Sequence, residues 1–388
     1  MSGERLKSHQ LLKSINQHKV MYLIHSEGPI SRVELAEKTG LTQQTVTNIV
    51  NRLLEQDMVR EGEPVVSSGG RKPVPLTING SRLYAIGIEV AGKFIRGTLM
   101  DFRQERIGAA SRSVSHYESE EHLITLLRSV MDELIALVPD PVLIKGAGMS
   151  IQGLVDSRRG VALRLPGIGW GSFPLKEKLE ELYGIAFYME NDVNLLALGE
   201  NMNGSLNDSV HNITLKFDYG IGGAICAGKE LVTGSSFVAG EFGHYKAFTG
   251  KDAKKCHCGG YGCLTTLVSE SGLMKNEGLS IDELADGVRA GEPDKVSLYE
   301  RMAEAVCLAV SNVVTFLNPD HLLVTGSVLE KLGDLLLPEL HRRLPDYVPE
   351  TCRGVKIIHL QHKPDETELA VGLVVKKVFE VPVESLSL

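Results

Sequence analysis

Apolar residues recur at spacings of three and four between residues 43 and 55, where Val46, Ile49, Val50 and Leu53 fall on one side of a helix. Its other side carries Gln43, Gln44, Thr47, Asn48, Asn51 and Arg52. Just before it, Gly28-Pro29-Ile30 breaks the chain, and Ser31-Arg-Val-Glu34 has the pattern in which Ser caps a helix and Glu reaches back. The pattern therefore predicts a short helix, RVELAEKTG, ending at Gly40, and a second one capped by Thr42. Two short helices joined by a tight turn make a helix-turn-helix. The stretch that follows, DMVREGEPVVSSGGRKPVPLTI, reads as a two-stranded wing whose tip carries Arg71 and Lys72.

From Tyr84 the period changes. YAIGIEVAGKFIRGTLMD predicts two strands around a turn at Ala91-Gly92-Lys93. A helix over EEHLITLLRSVMDELIALV, a buried strand over LIKGAGMSI and a loop through LPGIGWGSFP, with the single Trp170, come next. The strand IAFYM runs into Glu190-Asn-Asp-Val-Asn194 and a helix over LLALGENM, and HNITLKFDYGIGGAICAG predicts a hairpin with a glycine-rich turn. Strands alternating with helices predict an α/β architecture with polar loops at the strand ends forming sites.

Composition narrows the class. The 388 residues, 43% hydrophobic and 23% charged, are enough for two or three domains with a sizeable core. Net charge is −8, but residues 1–80 hold ten Lys and Arg against eight Asp and Glu, so they are +2 and the remainder −10. An acidic bulk argues against wholesale nucleic-acid binding and leaves room for a small amino-terminal module that does bind. The basic start lacks an apolar signal core and no run of about eighteen apolar residues follows, so a cytoplasmic protein with no membrane insertion is expected.

Candidate chemistry lies in two places. On the polar helix face, Gln43, Gln44, Thr47, Asn48 and Arg52 are side chains able to hydrogen-bond base edges, Gln and Asn suiting adenine and Arg guanine. Arg71 and Lys72 at the wing tip can reach phosphates or a minor groove. The second place is Cys256-x-Cys258-x4-Cys263, three of only six cysteines, within a glycine-rich turn that suits a metal knuckle. Cys226, Cys307 and Cys352 sit singly in apolar stretches and read as small core residues.

Six motifs in register resemble the ROK family of repressors and sugar kinases: Ile86-Gly-Ile-Glu89-Val, Glu190-Asn-Asp-Val-Asn194, Gly220-Ile-Gly-Gly223, Ala239-Gly-Glu241-Phe-Gly-His244, the cysteine set followed by Leu264, and Asn318-Pro-Asp-His321 through Gly326. The resemblance covers residues 84–380, and the helix-turn-helix matches the family's repressor branch. It implies a winged helix-turn-helix over 1–80 followed by a two-lobed, actin-like (ribonuclease H-like) domain. Its lobes would span 84–195, with a terminal helix at 367–380 packing back, and 196–366, with a sugar-sized cleft between them. It also implies structural zinc held by His244, Cys256, Cys258 and Cys263; His257, adjacent to two cysteines, would strain the chelate. Sugar contacts would come from Asn191, Asp192, Glu241 and His244, with Thr265 where the family usually has Glu. Asp192 matches the kinases' general base.

The nucleotide half departs from the kinase pattern. Glu89-Val-Ala91-Gly92-Lys93 stands in place of Asp-x-Gly-Gly-Thr, Asp218-Tyr219 in place of Gly-Thr, and Thr325-Gly326-Ser327 in place of a double glycine. An acidic group in the second loop would repel a polyphosphate. The expectation is a non-enzymatic, sugar-responsive repressor, a homodimer or homotetramer bound to operator DNA, with a sugar or sugar phosphate as effector. A sugar kinase with a fused regulatory head is the alternative. A regulator answering to a sugar-transporter component is a third reading.

Overall fold

The computed structural model describes residues 2–63, 74–165 and 171–379, with the backbone alone over 2–12. Contacts divide it into two units, residues 1–189 with 366–388, and 190–365.

The first unit opens with α1 (Ser2–Glu27), a helix that the sequence pattern did not reveal; of its side chains, Val20, Met21 and Ile24 near its end are buried apolar anchors. Helix α2 (Arg32–Thr39) starts in the expected capping box: Ser31 Oγ accepts from the Glu34 N–H, and the Glu34 carboxylate accepts from the Ser31 N–H at 2.8 Å. It stops at Gly40, whose φ of 71° suits a residue with no Cβ. Helix α3 (Gln43–Glu55) is capped by Thr42 and buries Val46, Ile49, Val50 and Leu53, as its spacing predicts. Strands β1 (Val59–Glu61) and β2 (Leu76–Ile78) pair antiparallel and form the base of the wing; the tip, with Arg71 and Lys72, lies outside the described residues.

Next come β3 (Tyr84–Val90), β4 (Phe94–Asp101), β5 (Arg106–Ser113), α4 (Glu120–Ile135), β6 (Ile144–Ile151), the short hairpin β7 (Leu154–Asp156) and β8 (Val161–Arg164), α5 (Leu175–Tyr183) and β9 (Phe187–Asn191). They build a five-stranded sheet in the order β5-β4-β3-β6-β9. Strand β5 was not expected, because only Ala110 of its eight residues is buried and the alternation is faint. Trp170 lies outside the described residues.

The second unit begins at the end of β9. It holds α6 (Asp192–Asn203), the hairpin β10 (His211–Phe217) and β11 (Ile221–Ala227), β12 (Glu230–Leu231), then α7 (Thr265–Val268), α8 (Glu270–Glu277), α9 (Ile281–Arg289) and α10 (Pro293–Leu317). It closes with β13 (His321–Thr325), α11 (Ser327–Tyr347) and β14 (Lys356–His359), giving a sheet ordered β12-β11-β10-β13-β14. Its core gathers Leu215, Phe217, Leu264, Val306, Val310, Leu322 and Val328. Cys226, Cys307 and Cys352 are buried, as expected.

The chain then returns to the first unit as α12 (Glu366–Phe379), which packs on β3 and β6. Two glycines allow the approach: a Cβ on Gly87 would meet Thr367 O at 1.8 Å, and one on Gly148 would meet Ala370 O at 1.8 Å. Buried hydrogen bonds from Ser150 Oγ to Glu366 (2.7 Å) and from Thr367 Oγ1 to Thr98 Oγ1 (2.7 Å) fix the register. At its far end Phe379 stacks on His25 of α1, ring centres 4.0 Å apart, and joins the core of the winged helix.

Candidate metal centre and nucleic-acid interface

The cysteine turn closes on a histidine twelve residues upstream. His244 ends a single 3-10 turn, Phe242–His244, and its Nδ1 lies 3.6 Å from Cys256 Sγ, while Cys258 Sγ and Cys263 Sγ are 3.7 Å apart. Ligand atoms of all four residues lie within 4.8 Å of one another. A tetrahedral ion with bonds of about 2.3 Å to sulfur and about 2.0–2.1 Å to nitrogen would place two sulfurs about 3.8 Å and a sulfur and nitrogen about 3.5 Å apart, so the set fits a metal. The same 3.7 Å is far beyond the ~2.05 Å of a disulfide. Burial pushes the Cys256 thiol up to about 11, and a bound cation must displace that proton. His257 Nδ1 also lies 3.7 Å from Cys256 Sγ, but His257 is outside the four-residue set.

The fold of the loop explains the set. Lys246 and Cys263 form an isolated β-bridge, as do Lys255 and Tyr261, so the cysteine turn is itself a small hairpin. Gly259 and Gly262, at φ 89° and 71°, supply the left-handed backbone it needs. With Nδ1 turned to Cys256 Sγ, His244 Nε2 lies 3.4 Å from Glu241 Oε2.

Asn191 and Asp192 sit where β9 becomes α6, a sharper junction than the loop the sequence predicts. Asn191 is the N-cap: its Oδ1 accepts from the N–H groups of Val193 (2.9 Å) and Asn194 (3.1 Å), and its Nδ2 donates to Asp192 Oδ1 at 3.0 Å. Asp192 Oδ2 is 2.7 Å from Lys216 Nζ, and both side chains are over 90% buried. Lys216 also lies 3.7 Å from Asp218, whose Oδ1 accepts from Ser327 Oγ at 2.7 Å. Thr265 is buried at the start of α7, where its Oγ1 donates to Ser269 Oγ at 3.1 Å. Sequence reasoning missed Lys216; the available signal was a lone charge inside the apolar strand ITLKF.

In the first unit, the turn between β3 and β4 is tightly held. Ala91 N–H bonds Phe94 O, the Gly92 N–H donates to Gln152 Oε1 at 3.1 Å, and Tyr117 Oη donates to Ala91 O at 2.6 Å. Burial pushes the Tyr117 hydroxyl up to about 12, so it remains a donor. Glu89 is buried and paired with Arg96, and Lys93 is exposed.

On α3, Gln43, Gln44, Asn48, Asn51 and Arg52 are exposed and Thr47 half-buried. Gln44 Nε2 donates to Asn48 Oδ1 at 3.1 Å, and Thr47 Oγ1 to Gln43 O at 2.8 Å. The first contact holds two amides side by side on the exposed face, with donors and acceptors available to an outside partner.

Comparison with known proteins places these features in a family. Residues 85–372 match the ROK family, and residues 13–61 match the MarR family. A putative xylose repressor of Caldicellulosiruptor sp. (strain Rt8B.4) is 30% identical over 355 residues, 86% of this chain and 88% of that protein. The xylose repressor of Bacillus subtilis (strain 168) is 29% identical, covering 82% and 84%. The DNA-binding transcriptional dual regulator NagC of Escherichia coli (strain K12) is 24% identical, covering 85% and 84%. Among solved structures, a ROK family transcriptional regulator described as a homolog of the E. coli MLC protein superposes with a TM-score of 0.79 at 20% identity, covering 97% of this chain and 98% of that one. The ROK hexokinase of Thermus thermophilus gives a TM-score of 0.61 at 22% identity, covering 75% and 97%. The six motifs, a two-unit α/β fold with a winged helix before it, and a match from residue 85 to 372 agree: the chain belongs to the ROK family.

Proposed function

We propose that this protein is a sugar-responsive transcriptional repressor that binds operator DNA through α3 and the wing and carries structural zinc beside its effector residues. The observation that carries the reading is α3 itself, which buries Val46, Ile49, Val50 and Leu53 and turns Gln43, Gln44, Asn48 and Arg52 outward. With Thr47, and with Arg71 and Lys72 of the wing, these side chains are the base and phosphate contacts. The relatives named as repressors, matched over more than four-fifths of this chain, support the same reading. A homodimer or homotetramer presents two such heads to paired half-sites.

The effector contacts are Asn191, Asp192, Glu241, His244 and Thr265. Lys216 fixes the position of Asp192 through the 2.7 Å contact to Oδ2, and the Asp192 oxygens are acceptors for a sugar hydroxyl. His244 gives Nδ1 to zinc with Cys256, Cys258 and Cys263; Nε2 then carries the proton and donates towards Glu241 or a hydroxyl bound there. Zinc supplies folding energy here by fixing the loop.

Catalysis is absent in this reading. In the β3–β4 turn the Gly92 N–H is already bonded to Gln152, and in the β10–β11 turn Asp218 brings negative charge that repels a polyphosphate. The test is a binding assay on the protein's own upstream region, followed by a screen of sugars, sugar phosphates and a sugar-transporter component for release. Specific binding reversed by a sugar or sugar phosphate supports the reading. Failure to bind any upstream duplex, with turnover of sugar and ATP, replaces it with the kinase.

A further inference from the structure

One cation beside the cysteine cluster has no part in the function argued so far. Lys246 Nζ lies 2.8 Å from Cys263 Sγ, on a side chain that is otherwise exposed to solvent. Its seat is built. The β-bridge between Lys246 and Cys263 aligns the two backbones, and Gly260 leaves the space the ammonium needs. A Cβ on Gly260 would come within 2.8 Å of Lys246 Nζ and 3.5 Å of Cys258 Sγ, so the ammonium rests between the Cys258–Gly260 turn and Cys263.

We propose that Lys246 is the counter-cation of the metal centre, a positioning residue that hydrogen-bonds the Cys263 thiolate and protects the bound ion. The proposal rests on the zinc reading above. Three thiolates and one imidazole around a divalent ion carry a net charge of −1, and the ammonium brings the cluster to neutrality. A charge-assisted N–H···S bond draws electron density from sulfur, so the thiolate becomes a poorer nucleophile towards electrophiles. Second-sphere partners of this type typically change metal-site properties by about 10–100-fold.

The experiment uses the full-length, zinc-loaded protein and its Lys246→Met, Lys246→Gln and Lys246→Arg variants. Zinc release is followed during attack by excess N-ethylmaleimide, and the cobalt-substituted proteins are compared by their sulfur-to-metal charge-transfer band. Met and Gln are expected to release zinc about tenfold faster because neither carries the charge. Met, which also has no N–H to donate, is expected to move the band to longer wavelength, because a sulfur without its donor gives up an electron more easily. Arg is expected to restore both. Since the side chain is exposed, loss of fold is not expected in either neutral variant, and each is read independently. Unchanged release and an unchanged band in whichever neutral variant folds overturn the proposal. A wild-type protein that takes up no zinc overturns the metal reading along with it, which separates the two failures.

Discussion

Among single side chains, one buried ion pair carries the first consequence. Lys216 and Asp192 are both over 90% buried and 2.7 Å apart, so removing the cation strands a carboxylate in a low-dielectric site. Lys216→Met is expected to cost about 3–5 kcal/mol in chemical denaturation, and adding Asp192→Asn is expected to recover part of it. A second residue, Asp320, sets acid stability. Burial raises its carboxyl, but Ser209 Oγ, the N–H groups of His211 and Val210, and His321 outweigh this and hold it well below the ordinary value of 3.8. A depressed carboxyl contributes stability above its unfolded value and loses it as pH falls from there towards the folded value. Denaturation midpoints taken from pH 6 down to pH 3 should therefore converge between wild type and Asp320→Asn; a constant difference would contradict the assignment.

At the scale of elements, α3 and α12 carry the testable consequences. If Gln44 and Asn48 contact base edges, replacing either with Ala should weaken specific binding by roughly 1–3 kcal/mol, measured by fluorescence anisotropy on matched and scrambled duplexes. Equal weakening on both duplexes would place these side chains outside base readout. Helix α12 lies against backbone at Gly148, where a Cβ would stand 1.8 Å from Ala370 O. Gly148→Ala must push the helix away and should cost about 1–3 kcal/mol or more, read as a fall in the unfolding midpoint. Helix α12 also bears Phe379, buried in the core that Val46, Ile49 and Leu53 of the winged helix share. These elements differ in legibility. Helix α3 was plain because one face is apolar and a threonine caps it. Helix α1 and strand β5 were not, since among the described side chains of α1 the buried apolar ones are Val20, Met21 and Ile24 and β5 buries one in eight.

For the whole molecule, the prediction separates regulator from kinase. Sugar is expected to bind in calorimetry without ATP, and ATP at cellular concentrations is expected to give no heat and no turnover in a coupled assay. Asp192→Asn should weaken the sugar response in whatever fraction stays folded and leave operator affinity per folded molecule unchanged, since Asp192 belongs to the second unit and α3 to the first. With no aligned phosphoryl donor there is no turnover for it to abolish. Turnover abolished by that substitution would make the protein an enzyme. What the sequence determined by itself is whatever acts over a few residues: the caps at Ser31 and Thr42, the apolar face of α3, the β3–β4 and β10–β11 hairpins, and the spacing of the three cysteines. That His244 joins the three cysteines was legible only through resemblance to a family, since twelve residues of chain give no geometry of their own. Only the tertiary structure decided that Lys216 meets Asp192 across 24 residues, that Lys246 folds onto Cys263, and that Glu366 returns across 216 residues to Ser150. The reason is physical. Caps and periodicity are set by neighbouring backbone, whereas these pairings depend on sheet register and helix docking, which every buried residue of the unit fixes together.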